Sequence, residues 1–540
     1  MIRIAMGVFV WACLGAPSYT FSQSTDSSFS PGLAGAADLN NDSLTKNSAE
    51  FHTPQELIEF DDGLAVEPTT GLTLNATCGA CEDYVACDCC KKQKPCCACQ
   101  KAKDKADALD AKVAGAHKGL FYNNDFSYLD DPQYDDWMPG DAFKRMNLNC
   151  LATIDVGGQY RMRHHSERNF RGLGLTGVDD DFLLHRTRLY GNAEVGDYFR
   201  FYGEMIDAES NYENFAPRAI EVNRSDVQNL FVDARLLENE SGSLSARVGR
   251  QELLYGEQRT ISPLDWANTR RTFEGAKLFW VGEDWNIDAF YTRPVITDPH
   301  NFDSPDYSQE FMGVYATLKA VEDQTVDFYY IGYNTPAFKF DTWGTRYFAT
   351  REQWMFEVEG AAQTGDFSGL DHLTGATTIG VGRNLDDGFD WSPVLWTYYD
   401  YAGGDNTLGN GYHHLFPLSH RYLGFMDLFG RRNIESFNAQ LTLQPHERVK
   451  LLAWYHYLWL ENRNDTPYNV NMTAFNPANT PADSELGHEI DLLMTLTLHP
   501  RANLQVGYSH FFAGEYYELT PGVPHRGDAD FWYTQAEFNF

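Results

Sequence analysis

From about residue 152 to the C-terminus, apolar and polar residues alternate with a period of two. In ATIDVGGQYRMR one face is Ile154, Val156, Gly158, Tyr160 and Met162, and the other is Asp155, Gly157, Gln159, Arg161 and Arg163. SFNAQLTLQ sets Phe437, Ala439, Leu441 and Leu443 against Ser436, Asn438, Gln440, Thr442 and Gln444. HEIDLLMTLTLH sets Ile490, Leu492, Met494, Leu496 and Leu498 against Glu489, Asp491, Thr495 and Thr497. Such a pattern means strands whose two faces meet different surroundings. About seventeen of these segments, most of them roughly 9 to 12 residues long, are separated by the Gly, Asn, Asp and Pro clusters that make turns.

Residues 151–540 divided among 18 strands leave about 22 residues per strand and connection, which suits a membrane-crossing strand of about 10 residues plus alternating short turns and longer loops. The expected fold is therefore all-β, a transmembrane antiparallel barrel of about 18 strands, with 16 as the alternative. A soluble sandwich or propeller also alternates, but its strands are usually only about 5–6 residues long. Aromatics crowd strand ends in LLAWYHYLWL and VLWTYYDY, where an interfacial girdle would sit. The chain ends in FWYTQAEFNF, with Trp532, Phe538 and Phe540 on one parity and Gln535, Glu537 and Asn539 on the other. A terminal strand finishing in Phe resembles the assembly signal of outer-membrane barrels.

The first residues, MIRIAMGVFVWACLGAPSYTFSQS, carry Arg3, an apolar core and then small polar residues, so 1–22 reads as a secretory signal peptide. Lipidation at Cys13 is the rival, and Trp11 fits it poorly. Residues 23–77 read as poorly ordered, 78–118 as a Cys-rich segment and short amphipathic helix, and 119–150 as a lead-in to the barrel at 151–540. The helix rests on Ala102, Ala106, Leu109, Val113 and Ala116 recurring at helical spacing. Cys78, Cys81, Cys87, Cys89, Cys90, Cys96, Cys97 and Cys99 are eight of the ten cysteines. In an exported chain an even count favours disulfides. Dense thiolates also bind zinc or soft cations, and a third reading anchors the barrel to an envelope partner.

A net charge of −34 excludes non-specific nucleic-acid binding, which needs a basic face. The basic residues are unevenly spread: residues 1–150 hold 10 Lys and 2 Arg, and 151–540 hold 4 Lys and 26 Arg. Arg161, Arg163, Arg186, Arg188, Arg235 and Arg247 fall on the parity opposite the apolar face. In a membrane barrel that face lines the lumen. A planar, always-charged guanidinium suits carboxylate or phosphate, and rings of such side chains select anions in pores. Asp155, Glu194, Glu204, Asp233, Asp288 and Asp491 are available to brace some of these arginines, leaving the rest for solute.

The run RVGRQELLYGEQRTISPLDWANTRRTFEGAKLFW, from Arg247 to Trp280, resembles the signature of the alginate-export family of outer-membrane proteins. The matching elements are Gly249-Arg250-Gln251, Tyr255-Gly256-Arg259, Trp266-Asn268 and Arg271-Phe273-Gly275. YDYAGGD near Asp400 and FPLSHRYLGFMDLFGRRN from Phe416 to Asn433 are similar too, so the resemblance spans about residues 120–540. It implies an eighteen-stranded barrel whose arginine-rich lumen passes an anionic polyuronate. It also nominates Arg250, Arg259, Arg270 and Arg271 for the constriction. Arg250 shares parity with Leu244, Ala246 and Val248, so a luminal place for it requires a bulge or a strand end. The Cys-rich extension departs from the family pattern.

No G-x-S-x-G, H-E-x-x-H or P-loop occurs, and GLGLTG at 172–177 precedes a strand rather than a helix. The pairs His164-His165 and His413-His414 read as wall or loop residues. The expectation is a channel without cofactor or catalysis, seated in outer-membrane lipid and passing anionic polysaccharide or small anions. The alternatives are a general anion-tolerant porin and a secreted β-rich polysaccharide-degrading enzyme.

Overall fold

The computed structural model describes residue 105 and residues 108–148, 151–386 and 389–540. The expected signal peptide, the segment 23–77, the eight clustered cysteines, and Ala102 and Ala106 lie outside the described residues.

Eighteen long strands succeed one another around one antiparallel sheet. They are β1 (Ala152–Arg168), β2 (Asp180–Val195), β3 (Phe199–Asn211), β4 (Asn223–Asn239), β5 (Gly242–Gln251) and β6 (Phe273–Gly282). Next come β7 (Trp285–Ile296), β8 (Glu310–Leu318), β9 (Gln324–Asn334), β10 (Phe338–Arg351), β11 (Trp354–Phe367) and β12 (Leu370–Asn384). The last six are β13 (Val394–Ala402), β14 (Ile434–His446), β15 (Val449–Trp459), β16 (Glu485–His499), β17 (Ala502–Ala513) and β18 (Ala529–Asn539). β1 pairs with β2 on one side and with β18 on the other, from Gln159↔Asn539 to Arg168↔Asp530. The sheet therefore closes, and closure satisfies the backbone polar groups that hydrocarbon cannot.

The connections alternate in length. One rim carries tight turns at 196–198, 240–241, 283–284, 352–353, 447–448 and 500–501. The other carries loops at 169–179, 252–272, 297–309, 403–433, 460–484 and 514–528. The rule has exceptions: 335–337 and 368–369 are tight on the loop rim, and 385–393 is longer on the turn rim.

The two faces follow the parity of the sequence. Val156, Tyr160 and Met162 are exposed outward, whereas Gln159, Arg161 and Arg163 are buried inward. Likewise Phe437, Ile490, Leu492 and Met494 face out, and Ser436, Asn438, Glu489 and Asp491 face in. Toward the loop rim, outward tyrosines donate to polar neighbours: Tyr291 to Glu310 (2.7 Å), Tyr330 to Asp341 (2.6 Å) and Tyr508 to Asp530 (2.8 Å). These amphipathic side chains form a belt of the kind expected at a membrane interface.

Below Gln159, β18 no longer covers β1, and two devices take its place. The short strand Met146–Leu148 pairs with the start of β1, Met146 opposite Ile154. The buried Lys144 ammonium donates to the Val156 carbonyl (2.7 Å) and the Phe540 carbonyl (3.1 Å), fastening the seam.

Leu492 stands midway along β16 on the outer face. Leu492→Arg should destabilise the barrel by about 2–4 kcal/mol, the cost of a cation on the lipid face near the midplane. Reversible unfolding in lipid vesicles measures it, and an unchanged midpoint would contradict lipid exposure there.

Candidate functional site

The inner wall of β1 and β2 presents Arg161, Arg163, Arg186 and Arg188, all 0–2% exposed. Alternation alone points these four at one another, a repulsion that only a shared acceptor offsets. The loop 252–272 supplies it by folding into the lumen. Arg161 donates to the Asp265 carbonyl (2.7 Å) and also to that of Ala267. Arg163 donates to the Trp266 carbonyl (2.5 Å), and Arg186 to those of Asp265 (3.1 Å) and Ala267 (3.3 Å). The Asp265 carboxylate lies 2.9 Å from Arg186 and 3.7 Å from Arg161, and it also touches Arg270. Three guanidiniums thus converge on one carboxylate, and backbone carbonyls complete the arrangement.

Trp266 fixes the loop in this position. Its ring stacks on His420 with centroids 3.7 Å apart, and the Arg163 guanidinium sits 3.7 Å over it. Asn268 donates to the carbonyls of His185 (2.9 Å), Glu209 (3.1 Å) and Glu221 (2.9 Å). These contacts give the Trp-x-Asn element of the sequence its physical reason: one residue docks by its face, the other by its amide.

The other nominated arginines divide. Arg188 pairs with Glu204 (2.7 Å) and Arg247 grips Asp233 through two bonds (2.7 and 2.9 Å), two of the six acids that the sequence makes available as braces. Arg259 holds Glu357 (2.7 and 3.1 Å) and Glu359 (2.9 Å), and Arg270 holds Glu252 (2.5 Å). Arg271 stands apart: it donates only weakly to the Ser262 carbonyl (3.3 Å) and lies 4.7 Å over Phe416. Among the described residues no carboxylate comes within 4.0 Å of it.

Two nominated arginines stand outside the cluster, Arg250 on the outer parity and Arg235 on the inner parity at the rim. Arg250 stands opposite Leu230 in an unshifted register, so no bulge turns it inward. On the outer parity it reaches the Val227 carbonyl (3.0 Å), the Asp303 carbonyl (2.8 Å) and Asp226 (3.7 Å). Arg235 is exposed near the turn rim and pairs with Glu238 (2.9 Å).

The loop 403–433 fills the opposite side. Gly424, at φ +96°, passes so close to Glu489 that a Cβ would strike its carboxylate. Just beyond, the backbone N–H of Met426 donates to Glu489 (2.9 Å) and that of Phe425 to Asp491 (3.4 Å). This loop brings in residues that parity could not nominate, because loops have no period. Arg431 donates to Thr378 (2.6 Å), and Arg432 donates to the Tyr412 carbonyl (2.8 Å) and lies 4.8 Å over Tyr468. Asp265, Glu252 and Glu257 were missed for the same reason.

Burial pushes Arg271 down from its ordinary value, and burial with repulsion from Arg188 does the same to Arg270. Burial pushes the Glu257 carboxyl up to about 7, opposed by Arg346 (2.8 Å) and Arg421 (3.6 Å). A docked carboxyl near 7 against about 4.3 free means that docking takes up a proton between those values. Protection of 252–272 against hydrogen exchange, corrected for intrinsic rate, should therefore rise as pH falls from 8 to 5. Glu257→Gln should flatten that dependence. Asn268→Ala, which removes an amide whose two N–H groups reach the carbonyls of His185, Glu209 and Glu221, should lower protection by about 1–3 kcal/mol.

The family model for alginate export matches residues 152–526. Among solved structures the chain is similar to OccAB1 of Acinetobacter baumannii at 11% identity and a TM-score of 0.52, covering 72% of this chain and 96% of that one. It is also similar to two Pseudomonas aeruginosa proteins. OpdQ matches at 10% identity and TM-score 0.49, covering 72% of this chain and 97% of that one. OccD3 matches at 11% and 0.48, covering 71% and 91%. No curated protein sequence matches the chain. The family match covers most of the closed eighteen-stranded barrel, so this is an outer-membrane channel rather than an enzyme, and the chain belongs to the alginate-export family.

Proposed function

We propose that the channel passes anionic solutes of the polyuronate type, and that its arginine cluster is the selective element. One observation carries this reading: Arg161, Arg186 and Arg270 converge on Asp265, a carboxylate supplied by a loop. The carboxylate and the adjoining carbonyls present to the wall the oxygens that a uronate chain would present. A guanidinium fork binds either set, and binds a carboxylate more strongly than a neutral carbonyl. Loop exchange for solute would leave the charge balance of the cluster unchanged, so it need not expose a bare cation at any stage. Arg271 adds a cation beside an aromatic ring, a pairing suited to a sugar acid, whose ring stacks while its carboxylate is held. Short turns of outer-membrane barrels face the periplasm, which places the loops 252–272 and 403–433 on the outer side of the passage.

Planar-bilayer recording across a KCl gradient, with polyuronate added to either side, tests the reading. Anion-selective current blocked by polyuronate is expected. Asp265→Asn should tighten that block about 3- to 10-fold, because the solute no longer competes with a resident carboxylate (about 1.4 kcal/mol per tenfold). Arg271→Gln should move the reversal potential toward zero. Weakly selective current that polyuronate leaves unblocked would instead make this a general porin.

A further inference from the structure

Residues 108–131 build no part of the barrel wall and precede the stretch matched by the family model. A helical turn over 108–114 sits at the turn rim, where Arg501 donates to the Val113 carbonyl (2.8 Å) and the Tyr128 hydroxyl (2.8 Å). The chain between them runs up into the lumen, and Ala116, Leu120, Phe121, Tyr122 and Phe126 are buried there. It returns to the same rim, where Lys144 reaches Val156 and Phe540. The insertion is therefore a hairpin that enters and leaves by one mouth.

Resting on the channel reading above, we propose that this hairpin is a plug that latches the constricting loop 252–272 in place, and that the channel opens when it is withdrawn. Its tip grips wall and loop together. The Gly119 carbonyl accepts from Arg188 on β2 (3.5 Å) and from Arg270 in the loop (3.1 Å). The Tyr122 hydroxyl donates to the Glu252 carbonyl (3.0 Å), and Arg200 on β3 donates to the Tyr122 carbonyl. Phe121 lies 3.7 Å beneath Arg188, and Tyr122 lies 4.4 Å from Arg247.

The chemistry of these grips suits a removable part. At Arg188 and Arg270 the plug offers a neutral carbonyl, while Glu204 and Glu252 supply the charge. Withdrawal would leave both ion pairs intact and return to each guanidinium the capacity to bind an anion. It would also free the loop from its contact at Glu252. Because the hairpin need not cross the barrel, withdrawal breaks no strand pairing.

The stretch 132–137 is largely exposed at the turn side of the hairpin. A protease recognition sequence inserted there in the full-length chain allows the plug to be cut from the barrel after folding, with heat-modifiable mobility in gels reporting that the barrel stays intact. Cleavage should raise conductance several-fold in bilayers. Arg501→Gln, which loosens only the hairpin, should raise the open fraction without cleavage. Unchanged current in both folded samples, or no current from either, would overturn the plug. Current that rises on cleavage but favours cations would sink the anion reading and keep the plug. Anion-selective current identical before and after cleavage, and in Arg501→Gln, would do the reverse.

Discussion

The stack of Arg163, Trp266 and His420 is the contact on which the interior depends. It joins a wall strand, the loop 252–272 and the loop 403–433 through one indole ring. A guanidinium over an indole face keeps a favourable electrostatic partner while shedding water, so the lumen can be filled here without a further carboxylate. With Trp266 in place, the carbonyls of 265–267 fall on Arg161, Arg163 and Arg186. Without it those arginines would face one another across the β1–β2 ladder, where Arg161 stands opposite Arg186.

The preference for arginine over lysine in the barrel follows from the same geometry. Arg161 donates to Asp265 and Ala267 at once, and Arg186 to Asp265, Ala267 and Gln159. A planar fork serves several acceptors with one rigid group, whereas an ammonium gathers them only as a point charge. The lysine at Lys277 sits where a point charge is enough, 2.7 Å from Asp288.

The barrel was legible in the sequence because lipid and lumen are unlike surroundings, and a two-residue period records which side each residue meets. That record placed Arg161, Arg163, Arg186, Arg188 and Arg247 on the inner wall. It also put Arg250 on the other parity, against the family expectation, and Arg250 stands opposite the exposed Leu230. The partners of these arginines were only partly legible. Glu204 and Asp233 sit on neighbouring strands and follow from alternation, but Asp265 and Glu252 come from a loop that has no period to read. The stretch GLFYNNDFSYL gave even less away. Its aromatics have no strand or helix spacing, and it reads as a lead-in until the lumen into which they fit is known.

The seam between first and last strands sets an order on assembly. Lys144 bonds carbonyls from β1 and from the last residue of the chain, so both must already lie side by side. The seam thus fastens segments that lie 396 residues apart in the chain. Closure becomes a precondition for seating residues 108–145, and a hairpin that is stably seated is in itself a record that the cylinder has been completed.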